Sequence, residues 1–73
     1  MADRPLSQHA FAGELHLETR FLDGQWEWEV LKVKHNERIN RGRAESLEDA
    51  KEKAERVART QGMEGEPKWE SIT

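Results

Sequence analysis

The chain has 73 residues, of which 34% are hydrophobic and 37% charged, with a formal net charge of -3 and no cysteine. This length has room for one core, and the lack of Cys excludes disulfides and thiolate metal sites. No apolar run approaches the roughly 18 residues that span a bilayer, and the N-terminal residues lack the apolar region of a signal peptide. We therefore predict one soluble, cytoplasmic domain without membrane contact.

The N-terminal half predicts two strands joined by a tight turn. Residues 1–9 have no periodic apolar pattern, and we expect a flexible lead-in there. Alternation then predicts one half-buried strand from Phe11 to Phe21. Its apolar side is predicted to hold Phe11, Gly13, Leu15, Leu17, Thr19 and Phe21. Asp23 and Gly24 follow, a pair that favours the two-residue type I′ turn of a hairpin.

The turn sets the register of this hairpin. It pairs Phe21 with Trp26 and Arg20 with Glu27, so an aromatic pair and an opposite-charge pair arise together. The same register pairs Thr19 with Trp28 and Leu17 with Val30 on the face of Phe21 and Trp26. After Val30 the apolar residues change parity, which predicts either a bulge or a strand end that is buried on both faces.

A third strand and a helix complete the predicted domain. Asn36 can take the left-handed conformation that ends a short turn at Lys34 to Asn36, before a polar edge strand over 37–44. Ser46 is the predicted N-cap of a helix over Leu47 to Gln61, which Gly62 ends. The predicted core consists of Leu15, Leu17, Phe21, Trp26, Trp28, Val30, Ala50, Ala54 and Val57.

Together these elements predict an α+β fold: a three-stranded antiparallel β-meander with one C-terminal helix packed on one face (β-β-β-α). The domain is expected over 10–62, followed by a tail over 63–73. Trp69 and Ile72 in this tail predict a short extra strand, a cover for the open end of the core, or contact with a partner.

Catalytic chemistry has little support in the sequence. There is no Cys or Tyr, no glycine-rich phosphate loop, and Ser46 is already explained as a cap. Glu14, His16 and Glu18 share one predicted strand face, but no recognised metal-ligand spacing is present. We therefore predict no enzyme, no catalytic residues, no metal and no cofactor.

Two kinds of partner remain. The favoured interpretation is a non-enzymatic interaction module that binds an unknown protein or forms a homodimer, and its candidate contact residues are Ile39, Trp69 and Ile72. The alternative is nucleic-acid binding through the basic segment, whose candidate residues are Lys32, Lys34, Arg38, Arg41 and Arg43.

Two motifs also carry a resemblance. The segments W-E-W-E-V at Trp26 to Val30 and S-L-E-D-A-K-E-K-A at Ser46 to Ala54 look like small uncharacterised bacterial proteins of β-β-β-α type. The layout is also loosely similar to antitoxin-like and double-stranded-RNA-binding-like domains. A double-stranded-RNA-binding-like domain implies a basic helix start, whereas Glu48 and Asp49 stand there. The resemblance implies the fold and transfers no site residues.

Overall fold

Five strands and one helix make up the part of the chain, residues 7–71, that the computed structural model describes. In chain order the elements are β1 (Gln8–Ala12), β2 (Leu15–Leu22), β3 (Gln25–Lys32), a 3₁₀ turn (Val33–His35), β4 (Glu37–Ala44), α1 (Leu47–Thr60) and β5 (Glu70–Ser71). The strands form one antiparallel sheet in the order β4-β3-β2-β1-β5. The α+β class is confirmed, but the predicted count of three strands is wrong.

The central β2–β3 hairpin has the predicted register. Phe21 pairs with Trp26 and Arg20 pairs with Glu27 across it. Asp23 and Gly24 have φ angles of 53° and 77°, as a type I′ turn requires. The local turn chemistry was therefore sufficient to fix this pairing.

The long strand predicted over Phe11 to Phe21 is instead a second hairpin, β1–β2. Its two-residue turn is Gly13 and Glu14, with Gly13 at a φ of 63°. Ala12 pairs with Leu15 across this turn, and Phe11 pairs with His16. Because directly paired residues share a face, Phe11 lies on the side opposite Leu15, where it is 60% exposed. The alternating pattern hid the turn because apolar residues continue at every second position through it.

β1 begins at Gln8, inside the segment 1–9 that the sequence analysis set apart from the domain. Residues 1–6 of that segment lie outside the described residues. Ala10 on β1 is 2% exposed, so this strand contributes to the buried side of the sheet.

A β-bulge lies in the β3–β4 pairing next to Val30, but its extra residue is on β4, and β3 keeps its register against β2. Val30 pairs with Asn40 but Leu31 pairs with Arg38, which leaves Ile39 as the extra residue of β4. Ile39 packs against the core. Asn36, before β4, has the predicted left-handed conformation with a φ of 51°. The bulge allows Arg38 to share a face with Arg41 and Arg43 despite their different parity.

Helix α1 covers one face of the sheet with small side chains. Ser46 caps it, because its Oγ accepts a hydrogen bond from the Asp49 backbone N–H at 3.1 Å. Ala50, Ala54 and Ala58 are fully buried. They pack in one cluster with Leu15, Leu17, Trp28, Val30 and Met63, and Trp26 and Val57 are partly buried against that cluster. Phe21 was predicted in the core but is 41% exposed, because it lies near the outer end of the hairpin and packs on Trp26.

The tail docks on the helix and on β1. The Trp69 indole N–H donates to Glu55 Oε2 at 2.7 Å, and the Lys51 ammonium lies 5.6 Å from the centre of the same ring. β5 then pairs with Gln8 and His9. The tail therefore provides both a short strand and a cover for the core, while Ile72 lies outside the described residues. Among residues 7–71 no helix has the length and apolar character needed to cross a membrane.

Candidate interaction face

The sheet face opposite α1, called here the helix-free face, carries most of the charged side chains of the strands. Its residues are the sequence neighbours of the buried positions, which face the helix. In register across the sheet they form three rows: Phe11, His16, Leu31 and Arg38; His9, Glu18, Glu29 and Arg41; and Arg20, Glu27 and Arg43. Acids lie mainly on the two central strands, and three arginines lie on the outer strand β4.

Glu29 is the centre of an ion-pair network on this face. Its side chain is only 10% exposed, and its two carboxylate oxygens accept from two different arginines. The Arg20 Nη2 lies 2.9 Å from Oε1, and the Arg38 Nε bonds Oε2. Arg20 also approaches Glu27 at 3.9 Å. The two carboxylates of Glu29 and Glu27 therefore balance the charges of Arg20 and Arg38, and Glu29 holds both guanidiniums in place over the sheet.

Arg41 and Arg43 differ from those two arginines. Both are exposed, and neither forms an ion pair with any of the described residues. They lie beside a shallow cleft of about 200 Å³ lined by Arg20, Glu27, Trp28, Arg41, Gly42 and Arg43. The Arg41 backbone N–H donates to Asn40 Oδ1 at 2.8 Å. Within residues 7–71 the outer strand thus presents two cations without ion-pair partners along a sheet edge, since β4 pairs there only with β3.

The structure divides the basic residues predicted for nucleic-acid binding. Arg38, Arg41 and Arg43 come together on the helix-free face, because the bulge at Ile39 aligns them. Lys32 pairs with Leu15 and lines a cavity of about 400 Å³ beside Met63, on the helix side of the sheet. Lys34 is in the 3₁₀ turn. Neither lysine joins the arginines.

Arg20 joins the basic group from β2, although the sequence analysis did not include it. The sequence contained a signal for this position. The predicted hairpin register places Arg20 opposite Glu27 on β3, and β4, which carries the other three arginines, is the next strand beyond β3.

The residues predicted for protein contact have roles within the fold. Ile39 and Trp69 are partly buried and pack against the core cluster. Ile72, the third residue of that prediction, lies outside residues 7–71. The helix-free face and its β4 edge are also accessible to a partner.

A second cluster on the helix-free face contains His9, Phe11 and His16. His9 Nδ1 lies 3.1 Å from His16 Nε2, and the Phe11 and His16 rings are stacked with centroids 4.5 Å apart. Burial lowers the pKa of His16 below its ordinary value of 6.5, although the nearby Glu18 acts in the opposite direction. Sequence reasoning missed this cluster because it assigned His9 to the lead-in and Phe11 to the buried side. Gly13 was the one available cue to the turn that brings them together.

Within residues 7–71 no three or more His, Asp or Glu side chains form a group that could hold a metal ion. Glu14, grouped with His16 and Glu18 in the sequence analysis, lies in the β1–β2 turn, away from the strand positions.

Comparison with protein-family models, curated proteins and solved structures finds no match to this chain, so the candidate face is interpreted from its own residues.

Proposed function

We propose that this chain is a non-enzymatic interaction module that binds an extended, acidic segment of a partner protein along β4. The observation that carries the proposal is that Arg41 and Arg43 are exposed and form no ion pair with the described residues. They lie on an edge strand, whereas Arg20 and Arg38 are already paired with Glu27 and Glu29. An acidic ligand gains most where the cations of its receptor are not already paired.

A free edge supplies backbone groups to an added strand, and side chains then select which strand binds. Arg41 and Arg43 are two residues apart and project on the same face. A ligand strand with carboxylates at alternate positions meets both guanidiniums in one register. On the other face, Gly42 and Ala44 are small, so the edge is not obstructed there.

A second copy of this chain is a poorer occupant of the same edge. Antiparallel pairing of β4 with itself brings the row of arginines on one copy against the same row on the other. Like charges directly opposite each other destabilise a sheet. Edge arginines and a bulge both act against such self-pairing, which favours a chemically different partner.

A peptide titration followed by ¹⁵N–¹H NMR tests the proposal. The probe is a capped eight-residue peptide with Glu alternating with Val and Thr, and the control peptide has Lys in place of Glu. We expect the acidic peptide alone to shift the amides of 40–44, with binding that weakens as salt rises. Arg41→Gln and Arg43→Gln should each weaken binding several-fold. Arg56→Gln, on the exposed helix surface, is the matched control and should leave binding unchanged.

Several outcomes would contradict the proposal. Equal binding of the Glu and Lys peptides, or an equal effect of Arg56→Gln, would show that the β4 arginines confer no selectivity. Concentration-dependent broadening at β4 without peptide binding would indicate a homodimer in place of the acidic partner.

Nucleic-acid binding is the second candidate, and a specific observation favours it. Phe11 is 60% exposed and lies on the face that carries Arg20 and the three β4 arginines, so stacking and phosphate contacts share one surface. The acids of the same face, including Glu18 and Glu27, oppose a polyanion. A mixed single- and double-stranded pool at low salt distinguishes the candidates. Shifts at both Phe11 and 38–43 that vanish steeply with salt would favour nucleic acid.

A further inference from the structure

The β1–β2 hairpin brings two histidine rings together on the helix-free face. His9 pairs directly with Glu18, and His16 pairs with Phe11, so the two histidines are diagonal neighbours in the register. Their facing ring nitrogens, His9 Nδ1 and His16 Nε2, are 3.1 Å apart. The two histidines share the helix-free face with the β4 arginines, but they lie on β1 and β2, toward the other edge of the sheet. The arrangement is independent of the proposed function.

The separation of the nitrogens matches that of two ligands on one metal ion. With metal–nitrogen bonds of about 2.0–2.1 Å, two nitrogens 3.1 Å apart subtend about 100° at the metal. That angle lies between the values for adjacent ligands in octahedral and in tetrahedral coordination. The two nitrogens are at hydrogen-bond distance, so an N–H of one ring is directed at the other ring. Metal binding replaces that proton, and each ring must turn so that both lone pairs converge on the ion.

The surroundings orient the rings. Stacking against Phe11, at an interplanar angle of 21°, fixes the plane of the His16 ring. Neutral imidazole is the form that binds metal. Four groups surround the pair: Glu18 is the register partner of His9 on β2, Glu70 is its partner on β5, Glu29 lies across from Glu18, and Lys68 lines the same small cleft as His9. The carboxylates add negative charge near a bound cation.

We propose that His9 and His16 chelate a divalent transition-metal ion such as Zn²⁺ or Ni²⁺, with water completing its coordination. The protein supplies two ligands, since no larger group of ligating side chains occurs within residues 7–71. Nitrogen ligands select such ions over Mg²⁺ and Ca²⁺, which prefer oxygen. The site is open, so its affinity is lower than that of a four-ligand structural zinc site.

The test is calorimetric titration of the untagged chain with Zn²⁺ and Ni²⁺, together with NMR of the histidine ring nitrogens. We expect one metal per chain, with Zn²⁺ shifting the ¹⁵N resonances of His9 Nδ1 and His16 Nε2. His9→Gln and His16→Gln should each weaken binding by at least about tenfold, because each removes one of two ligands. His35→Gln is the matched control for a histidine outside the hairpin and should leave binding unchanged. Binding should weaken as pH falls, because protons compete for the ring nitrogens.

Three results would overturn the proposal. The first is the absence of saturable Zn²⁺ or Ni²⁺ binding up to millimolar concentrations. The second is binding that His35→Gln weakens as much as His9→Gln does. The third is an equal response to Mg²⁺, which would assign the ion to the carboxylates. The ring-nitrogen shifts of the unaltered chain report ligation directly, so the test stands even where a histidine variant loses stability. None of these outcomes depends on whether the β4 edge binds an acidic peptide.

Discussion

Replacing Gly42 with Ala should destabilise the domain, although Ala is the better residue in most strands. Gly42 pairs with Trp28, and a Cβ placed on Gly42 would lie 2.9 Å from Trp28 Cζ2 and 3.0 Å from Cε2 and Nε1. The indole is a rigid group that is 8% exposed, so it cannot move aside as the end of a flexible chain would. The added methyl group must therefore displace the indole or the strand.

The magnitude follows from two opposing effects. Overpacking a core costs about 1–3 kcal/mol, whereas replacing Gly in a strand recovers about 0.5–1 kcal/mol of backbone entropy. We expect a net loss of about 1–2 kcal/mol in the free energy of unfolding. For a domain of this size, each kcal/mol lowers the Tm by about 4–8 °C.

Urea and thermal unfolding, followed by circular dichroism, measure this loss. The matched background is Trp28→Leu, which removes the ring atoms that the new methyl group would meet. The indole N–H has no acceptor among the described residues, so that truncation breaks no hydrogen bond within them. In the Trp28→Leu background Gly42→Ala should become neutral or stabilising, which is a coupling well above the few tenths of a kcal/mol seen for independent sites. An unfolding free energy of Gly42→Ala at or above that of the parent chain would refute the reasoning.

Three further predictions concern the helix cap, the central carboxylate and pH. Ser46→Ala should lower the free energy of unfolding by about 1 kcal/mol, because it removes the acceptor of the Asp49 N–H. A urea midpoint equal to that of the parent chain would contradict this prediction. Glu29→Gln should lower the free energy of unfolding by about 1–2 kcal/mol, a value already reduced because its arginine partners are partly exposed. Glu27→Gln should cost less, because its ion pair is longer, and equal costs would refute the central role of Glu29. Because the pKa of His16 is lowered in the folded chain, the unfolded chain binds a proton there more readily, so the free energy of unfolding should fall as pH drops below about 6.5. His16→Gln should remove the contribution of His16 to this pH dependence. A free energy of unfolding that rises as pH drops over this range would contradict the prediction.

The features that sequence reasoning predicted correctly depend on short-range chemistry. Asp23 and Gly24 define a turn by their backbone preferences, and the turn then fixes every pair of the β2–β3 hairpin. Ser46 defines the helix start in the same way. The parity change after Val30 has a different origin from a bulge within β3, because β3 keeps its register against β2 and Leu31 lies on the helix-free face. The bulge at this point is in β4, at Ile39.

The central hairpin, the edge strand and the helix could therefore be predicted from the sequence, because each is encoded within a few residues. The break in the alternating run from Phe11 to Phe21 could not, since a two-residue turn at Gly13 and Glu14 leaves apolar residues at every second position. That break turned Phe11 outward and brought His9 to His16. The bonds of Glu29 to Arg20 and Arg38 also depend on the tertiary structure, because they join side chains of three strands and no local pattern records them.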